Sequence, residues 1–135
     1  MPTFDVHKLP ELDRLTLREP FYELLVNDKS EYRAFCTEVR RAGTHTRDLD
    51  TIQTLILRLA QGQPIPPAKF KPLKRPKNDS VPDFEFKTSN LRLYVFRHPV
   101  SGKVIVCGGG ANKTQQPQDI ARMRRLKKQY YDSLP

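Results

Sequence analysis

The residues best equipped for chemistry in this chain are cations. Lys69, Lys71, Lys74, Arg75 and Lys77 crowd into one short stretch. Arg92 stands inside an otherwise apolar run, Leu91-Arg-Leu-Tyr-Val-Phe96, and Lys113 follows a run of glycines. Cations converging on one phosphate can hold a nucleic-acid backbone and stabilise charge that grows on it during transfer. The plainer reading of Arg92 is an ion pair with Glu85 or Asp83 across a sheet. Gly108-Gly-Gly-Ala-Asn-Lys-Thr114 superficially suggests a phosphate loop. That loop needs glycine directly before its lysine and another five residues earlier, and Asn112 and Cys107 stand there instead. A bulge or turn is the expected use of these glycines. His7, His45 and His98 show no ligand spacing, and Cys36 and Cys107 make neither a disulfide framework nor a metal site. Both cysteines are expected as reduced core residues, and metal catalysis is not expected.

Charge is distributed unevenly around these candidates. Residues 1–62 carry nine Lys and Arg against ten Asp and Glu, whereas residues 63–135 carry fifteen against five. The whole net charge of +9 therefore arises in the second half, and so lopsided a field attracts a polyanion, nucleic acid being the commonest. At 135 residues the chain has room for one core. No apolar run approaches the length of a membrane span, and the first ten residues lack the layout of a secretory signal, so a cytoplasmic protein is expected.

The elements that must position the cations follow from periodicity. Residues 1–19 read as an arm with a short helix near Glu11–Leu17, and residues 20–135 as a single domain. Phe21–Val26 reads as a strand ended by Asn27-Asp28. Tyr32, Phe35, Cys36 and Val39 fall on one face of a helix, capped by Asp28 or Ser30 and ended by Gly43. Ile52, Leu55, Ile56 and Leu59 repeat the pattern in a second helix over Asp48–Gln61, with Asp48 as its cap. The pair is expected to form an antiparallel helical hairpin. Prolines 64, 66 and 67 then open a basic loop with room for a short edge strand. Strands are expected at Asp83–Lys87, Leu91–Phe96 and Lys103–Cys107, the last two joined by a hairpin loop. A final helix starts at Pro117 and runs to about Tyr131. The expected fold class is α+β: a small, mostly antiparallel sheet with an N-terminal helical hairpin and a C-terminal helix.

Three segments together resemble a known family. Phe84-Glu-Phe-Lys87, Asn90-Leu-Arg-Leu-Tyr-Val-Phe96 and Lys103-Val-Ile-Val-Cys107 are similar to the strand motifs of RelE/HigB toxins of type II toxin–antitoxin systems, in the RelE/ParE superfamily. Lys113-Thr-Gln-Gln-Pro-Gln-Asp-Ile-Ala121 resembles the run that opens the last helix of HigB-type members. The resemblance spans about residues 20–131 and is specific over the last forty or so. It implies a compact sheet with helices packed on one side, no metal or cofactor, and a cognate antitoxin protein that wraps the chain. It also implies a ribosome-dependent endoribonuclease acting on translated mRNA. In the implied reaction a 2′-hydroxyl attacks the adjacent phosphate, leaving a 2′,3′-cyclic phosphate and a free 5′-hydroxyl.

By position, Arg92 would stabilise the phosphorane and Lys113 would contact the phosphate or protonate the leaving oxygen. Lys71 or Lys74, depressed by surrounding cations, would serve as general base. Lys69, Arg75, Lys77, Lys87 and Arg122 would contact RNA, with Lys87 in place of a family arginine and so without its bidentate fork. Tyr130 and Tyr131 are weaker candidates for base stacking and fit packing better. The glycines at 108–110 replace an aromatic or histidine residue that the family often has. Two alternatives stand beside the nuclease: a gyrase inhibitor like the ParE relatives, and a non-toxic basic nucleic-acid-binding domain.

Overall fold

The computed structural model describes residues 2–111 and 113–135. Strand β1 (Phe4–Lys8) is followed by a 3-10 turn at Pro10–Leu12, then by β2 (Phe21–Val26) and the short β3 (Lys29–Ser30). Helices α1 (Glu31–Ala42) and α2 (Thr46–Ala60) come next, then β4 (Phe70–Pro72), β5 (Asp83–Lys87), β6 (Arg92–Arg97), β7 (Val104–Gly110) and helix α3 (Gln116–Ser133).

The expected fold class is corrected. The molecule is a mixed α/β fold whose seven-stranded sheet runs β1-β2-β7-β6-β5-β4, with β3 paired to β2. Strands lead, so no helical hairpin stands at the N-terminus; α1 and α2 follow three strands, and a single helix closes the chain. The arm accounts for part of the difference. Phe4 and Val6 alternate with Asp5 and His7, the pattern of a half-buried strand, and β1 pairs with β2 along its whole length, Phe4 opposite Val26 through Lys8 opposite Tyr22. Instead of a helix at Glu11–Leu17 there is one 3-10 turn, which sinks Leu12 into the core beside Leu9. The other difference is at the centre, where β2 and β7 run parallel. A parallel neighbour cannot be reached by a tight turn; α1, α2 and the β4-β5-β6 meander supply the crossover.

Helices cover both faces of the sheet, not one as the resemblance implies. Leu93 and Val95 of β6 join Phe21, Phe86, Val104 and Val106 in a core completed by α1 and α2. The alternate residues, Tyr94 and Phe96, join Ile105, Cys107 and Leu24 under Met123, Leu126 and Tyr130 of α3. A strand's side chains alternate between faces, so α3 lies opposite the helical pair. Tyr130 and Tyr131 pack their rings against Phe96 and are part of this second core. Both cysteines are free and buried, and burial pushes the Cys107 thiol up to about 12.

Local capping explains the helix boundaries and one tertiary link. Ser30 caps α1, its hydroxyl accepting the Arg33 N–H at 3.1 Å. Asp48 is not the cap of α2, which begins at Thr46 with no side-chain cap. Its carboxylate accepts the backbone N–H of Asn90 at 2.9 Å instead, fastening the β5–β6 turn to the helix. No helix among the described residues is long and apolar enough to cross a membrane.

Candidate active site

Alternation along β5 and β6 sends Glu85, Lys87, Arg92 and Tyr94 to the face that α3 covers. Register then makes neighbours of them: Lys71 lies opposite Glu85, Glu85 opposite Tyr94, Lys87 opposite Arg92, and Arg92 opposite Gly110. The first turn of α3 meets this end of the sheet through Gln116 and Asp119. Between the two lies a cleft of about 190 Å³ lined by Ser89, Asn90, Arg92, Tyr94, Gly110, Ala111, Lys113, Gln116 and Asp119.

Glu85 is the hub on the cleft's inner side. It is 3% exposed, and three groups converge on its carboxylate. Lys71 Nζ lies 3.6 Å from Oε1, Arg92 Nε lies 4.0 Å from Oε2, and the Gln116 amide donates to Oε2 at 3.3 Å. Burial excludes water from these contacts, so each partner acts on the carboxylate with little screening. Arg92 is anchored from its other side, Nη1 donating to the carbonyls of Thr88 at 2.8 Å and Leu91 at 3.0 Å. Its Nε is buried with no hydrogen-bond partner among the described residues. The ion pair expected for Arg92 is therefore with Glu85; Asp83 is taken by Arg124 and Lys127.

Tyr94 forms the floor. It is 1% exposed and its hydroxyl has no hydrogen-bond partner among the described residues. Burial, then the neighbouring charges of Glu85 and Asp119, push its phenol well above the ordinary tyrosine range. Buried polar atoms without partners are uncommon in folded proteins, and two of them belong to residues of this one cleft.

The glycines allow the cleft to exist. β7 does not stop at Cys107 as expected but runs on to Gly110, with an irregular register between Leu93 and Val95. A side chain on Gly109 would overlap the carbonyl of Arg92, and one on Gly110 would overlap the Asp119 carboxylate. Bare backbone at Gly109 lets β6 lie this close to β7, whereas at Gly110 only the Asp119 carboxylate would have to move.

Of the cations singled out in the sequence, the structure brings Arg92 and Lys113 to the cleft wall and Lys71 to Glu85. Lys69 joins them through its carbonyl, which accepts the Lys87 N–H at 2.8 Å. Lys74 lies beyond the other end of β4, where its carbonyl accepts from Arg124 at 2.7 Å. Arg75 binds the carbonyl of Asp79 within the same loop, and Lys77 sits in the turn between them. Arg122 is paired with Glu31 of α1 and does not line the cleft. The tertiary structure thus sorts a continuous basic run into one part that faces the cleft and one that does not.

Arg97, Arg122, Arg124, Lys127 and Lys128 are all engaged by carboxylates. Lys69, Lys87 and Lys113 have no carboxylate within ion-pair distance among the described residues, and neither do Lys74, Arg75 and Lys77, so position and not pairing separates the two groups. Two larger hollows, about 510 and 430 Å³, flank the N-terminal segment. The first is mainly aliphatic; the second mixes leucine and isoleucine with Glu11, Arg33, Asp50 and Gln53, and its Arg33 is tied up by Glu11 and Glu23.

No family model, curated protein or solved structure matches the chain.

Four residues of the site, Glu85, Tyr94, Gln116 and Asp119, were not among the sequence candidates for function. Glu85 figured only as a counter-ion. Its signal was alternation: in Asp83-Phe-Glu-Phe-Lys87 the carboxylate shares a face with Lys87, and that face meets Arg92.

Proposed function

We propose that this chain is an endoribonuclease toxin of the RelE/HigB kind, which cuts mRNA on the translating ribosome and is neutralised by a cognate antitoxin protein. The observation that carries the reading is the buried Glu85 carboxylate facing Arg92 and Lys71 beside a cleft lined by Arg92 and Lys113. RNA supplies its own nucleophile, so cleavage needs only a base for the 2′-hydroxyl, positive charge for the phosphorane and a proton for the leaving oxygen.

The first two requirements have residues here. Glu85 takes the 2′-hydroxyl proton as the 2′-oxygen bonds to phosphorus. Lys71 is already engaged with that carboxylate, so it serves as a charge partner and phosphate contact, and the base is Glu85. Arg92 and Lys71 hold the non-bridging oxygens as charge accumulates, and Lys113 at the rim holds the neighbouring phosphate. The P–O5′ bond breaks, the 5′-oxygen is protonated, and a 2′,3′-cyclic phosphate remains. Lys69 and Lys87 extend the track along which the backbone lies.

The test is induced expression of wild type and Arg92→Ala in a bacterial host, with mRNA 5′ ends mapped by primer extension. Growth arrest with new cuts inside translated messages, both lost in Arg92→Ala, is the expected result. Arrest with intact mRNA would move the target elsewhere, gyrase being the first to check. A well-expressed, folded wild type without effect on growth would sink the toxin reading.

A further inference from the structure

The cleft contains a second carboxylate that the reaction above does not use. Asp119 lies one turn after Gln116 on α3, so the two share a helix face. Gln116 is fixed on that face by its hydrogen bond to Glu85. Asp119 lies against Gly110, the register partner of Arg92. A phosphate held by Arg92 therefore has Glu85 on one side and Asp119 on the other. Among the described residues no side chain hydrogen-bonds or ion-pairs with the Asp119 carboxylate, in contrast to Glu85.

Resting on the nuclease reading, we propose that Asp119 is the general acid of this site, delivering its proton to the 5′-oxygen as the P–O5′ bond breaks. Glu85 gains the proton of the 2′-hydroxyl in the same reaction, and exchange with water restores both carboxyls. The two environments suit the two roles. Glu85 is surrounded by donors from Lys71, Arg92 and Gln116. Burial raises Asp119 above the usual carboxylate range, only partly opposed by the Arg122 guanidinium one turn along, which Glu31 itself engages. The other ionisable groups around Asp119 are Tyr94 of β6, Cys107 of β7, Arg92 and Lys113. A carboxyl raised in this way is suited to hold a proton and deliver it. Lys113, exposed at the rim, is left for phosphate binding.

A leaving group that needs no proton tests the role. Short mRNAs are prepared with either the natural oxygen or a bridging 5′-sulfur at one cleavage site, and presented on ribosomes to wild type, Asp119→Asn and Glu85→Gln. A thiolate leaves without help, so Asp119→Asn should lose ~10²–10⁴-fold on the oxygen substrate and regain most of the wild-type rate on the sulfur substrate. Glu85→Gln should be slow on both. On the oxygen substrate the wild-type rate should fall as pH rises through the Asp119 titration, and that alkaline limb should be missing in Asp119→Asn. Asp119→Asn that cuts both substrates like wild type, or stays slow on the sulfur substrate at an unchanged melting temperature, overturns the assignment. Wild type that cuts neither substrate overturns the nuclease reading itself, and the role of Asp119 with it.

Discussion

Arg92 and Glu85 form a diagonal pair across two antiparallel strands, with 4.0 Å between Nε and Oε2. Their exposures are 9% and 3%. Because Nη1 of the same guanidinium is bound to the carbonyls of Thr88 and Leu91, the β5–β6 turn sets where the positive charge sits. The turn is in turn tied to α2 through Asp48 and Asn90. The geometry of the cleft thus rests on the far face of the sheet.

This relationship makes the arginine hard to replace. Arg92→Lys keeps the charge but cannot donate to two carbonyls while facing Glu85 and a phosphate. Cleavage by Arg92→Lys is expected to fall close to that of Arg92→Ala, ~10²–10³-fold below wild type. Rates on ribosome-bound mRNA check this; near-wild-type activity in Arg92→Lys would show that a point charge suffices.

The lysines should divide into two groups by salt dependence. Removing a phosphate contact on single-stranded RNA lowers the slope of log affinity against log salt by about 0.7. Lys69→Ala, Lys87→Ala and Lys113→Ala should each show that change, whereas Lys74→Ala and Lys77→Ala should leave the slope alone. Titrations of a fluorescent oligonucleotide at several salt concentrations make the comparison, and equal effects from both groups would mean the RNA track is not this cleft.

Gly109 should be intolerant of a single added carbon. Gly109→Ala places a methyl group into the Arg92 carbonyl, and relief requires parting β6 from β7 at the site. A stability loss of about 1–3 kcal/mol is expected from such overpacking, with cleavage lost as well. Urea unfolding and the cleavage assay together would show it. An Ala variant as stable and active as wild type would show that β6 and β7 need not approach so closely.

Away from the cleft, Lys127 is the residue whose loss should cost most stability. It is buried and donates to Asp79 at 2.7 Å, the Val81 carbonyl at 2.8 Å and Asp83 at 2.9 Å. Lys127→Ala leaves those acceptors short of a donor, at a cost of about 3–5 kcal/mol. The pH dependence has a definite sign. Burial alone would raise Asp79, but the Lys127 ammonium and the Val81 N–H more than offset it and hold the carboxyl below its ordinary range. Its contribution is complete above the ordinary carboxylate pKa and is lost as pH falls through the lowered value. Asp79→Asn should therefore be less stable than wild type near neutrality, the gap closing in acid, as chemical denaturation across pH would reveal.

Short-range pattern in the sequence determined much of this molecule. The apolar spacing of Tyr32, Phe35, Cys36 and Val39, and of Ile52, Leu55, Ile56 and Leu59, specified two helices and the faces they bury. Alternation located strands at 21–26, 83–87 and 91–96, the last one residue early, and Arg92 was conspicuous because a charge in an apolar strand needs a partner. The one-sided charge was likewise visible without coordinates. Each of these signals lies within a few residues of itself, where helix and strand geometry act directly.

Tertiary structure decided everything that depends on which distant segments meet. Gln116 reaches Glu85 across thirty-one positions, and Asp48 reaches Asn90 across forty-two; no local period encodes either. β1 became a strand because the edge of β2 was available to it, and α3 took the face opposite α1 and α2 because β6 is apolar on both sides. Lys71 and Lys74 are three residues apart and alike in sequence. One was carried by the register of β4 to Glu85 and the other past the strand's end, so the site was settled by strand pairing, whose partners lie far away along the chain.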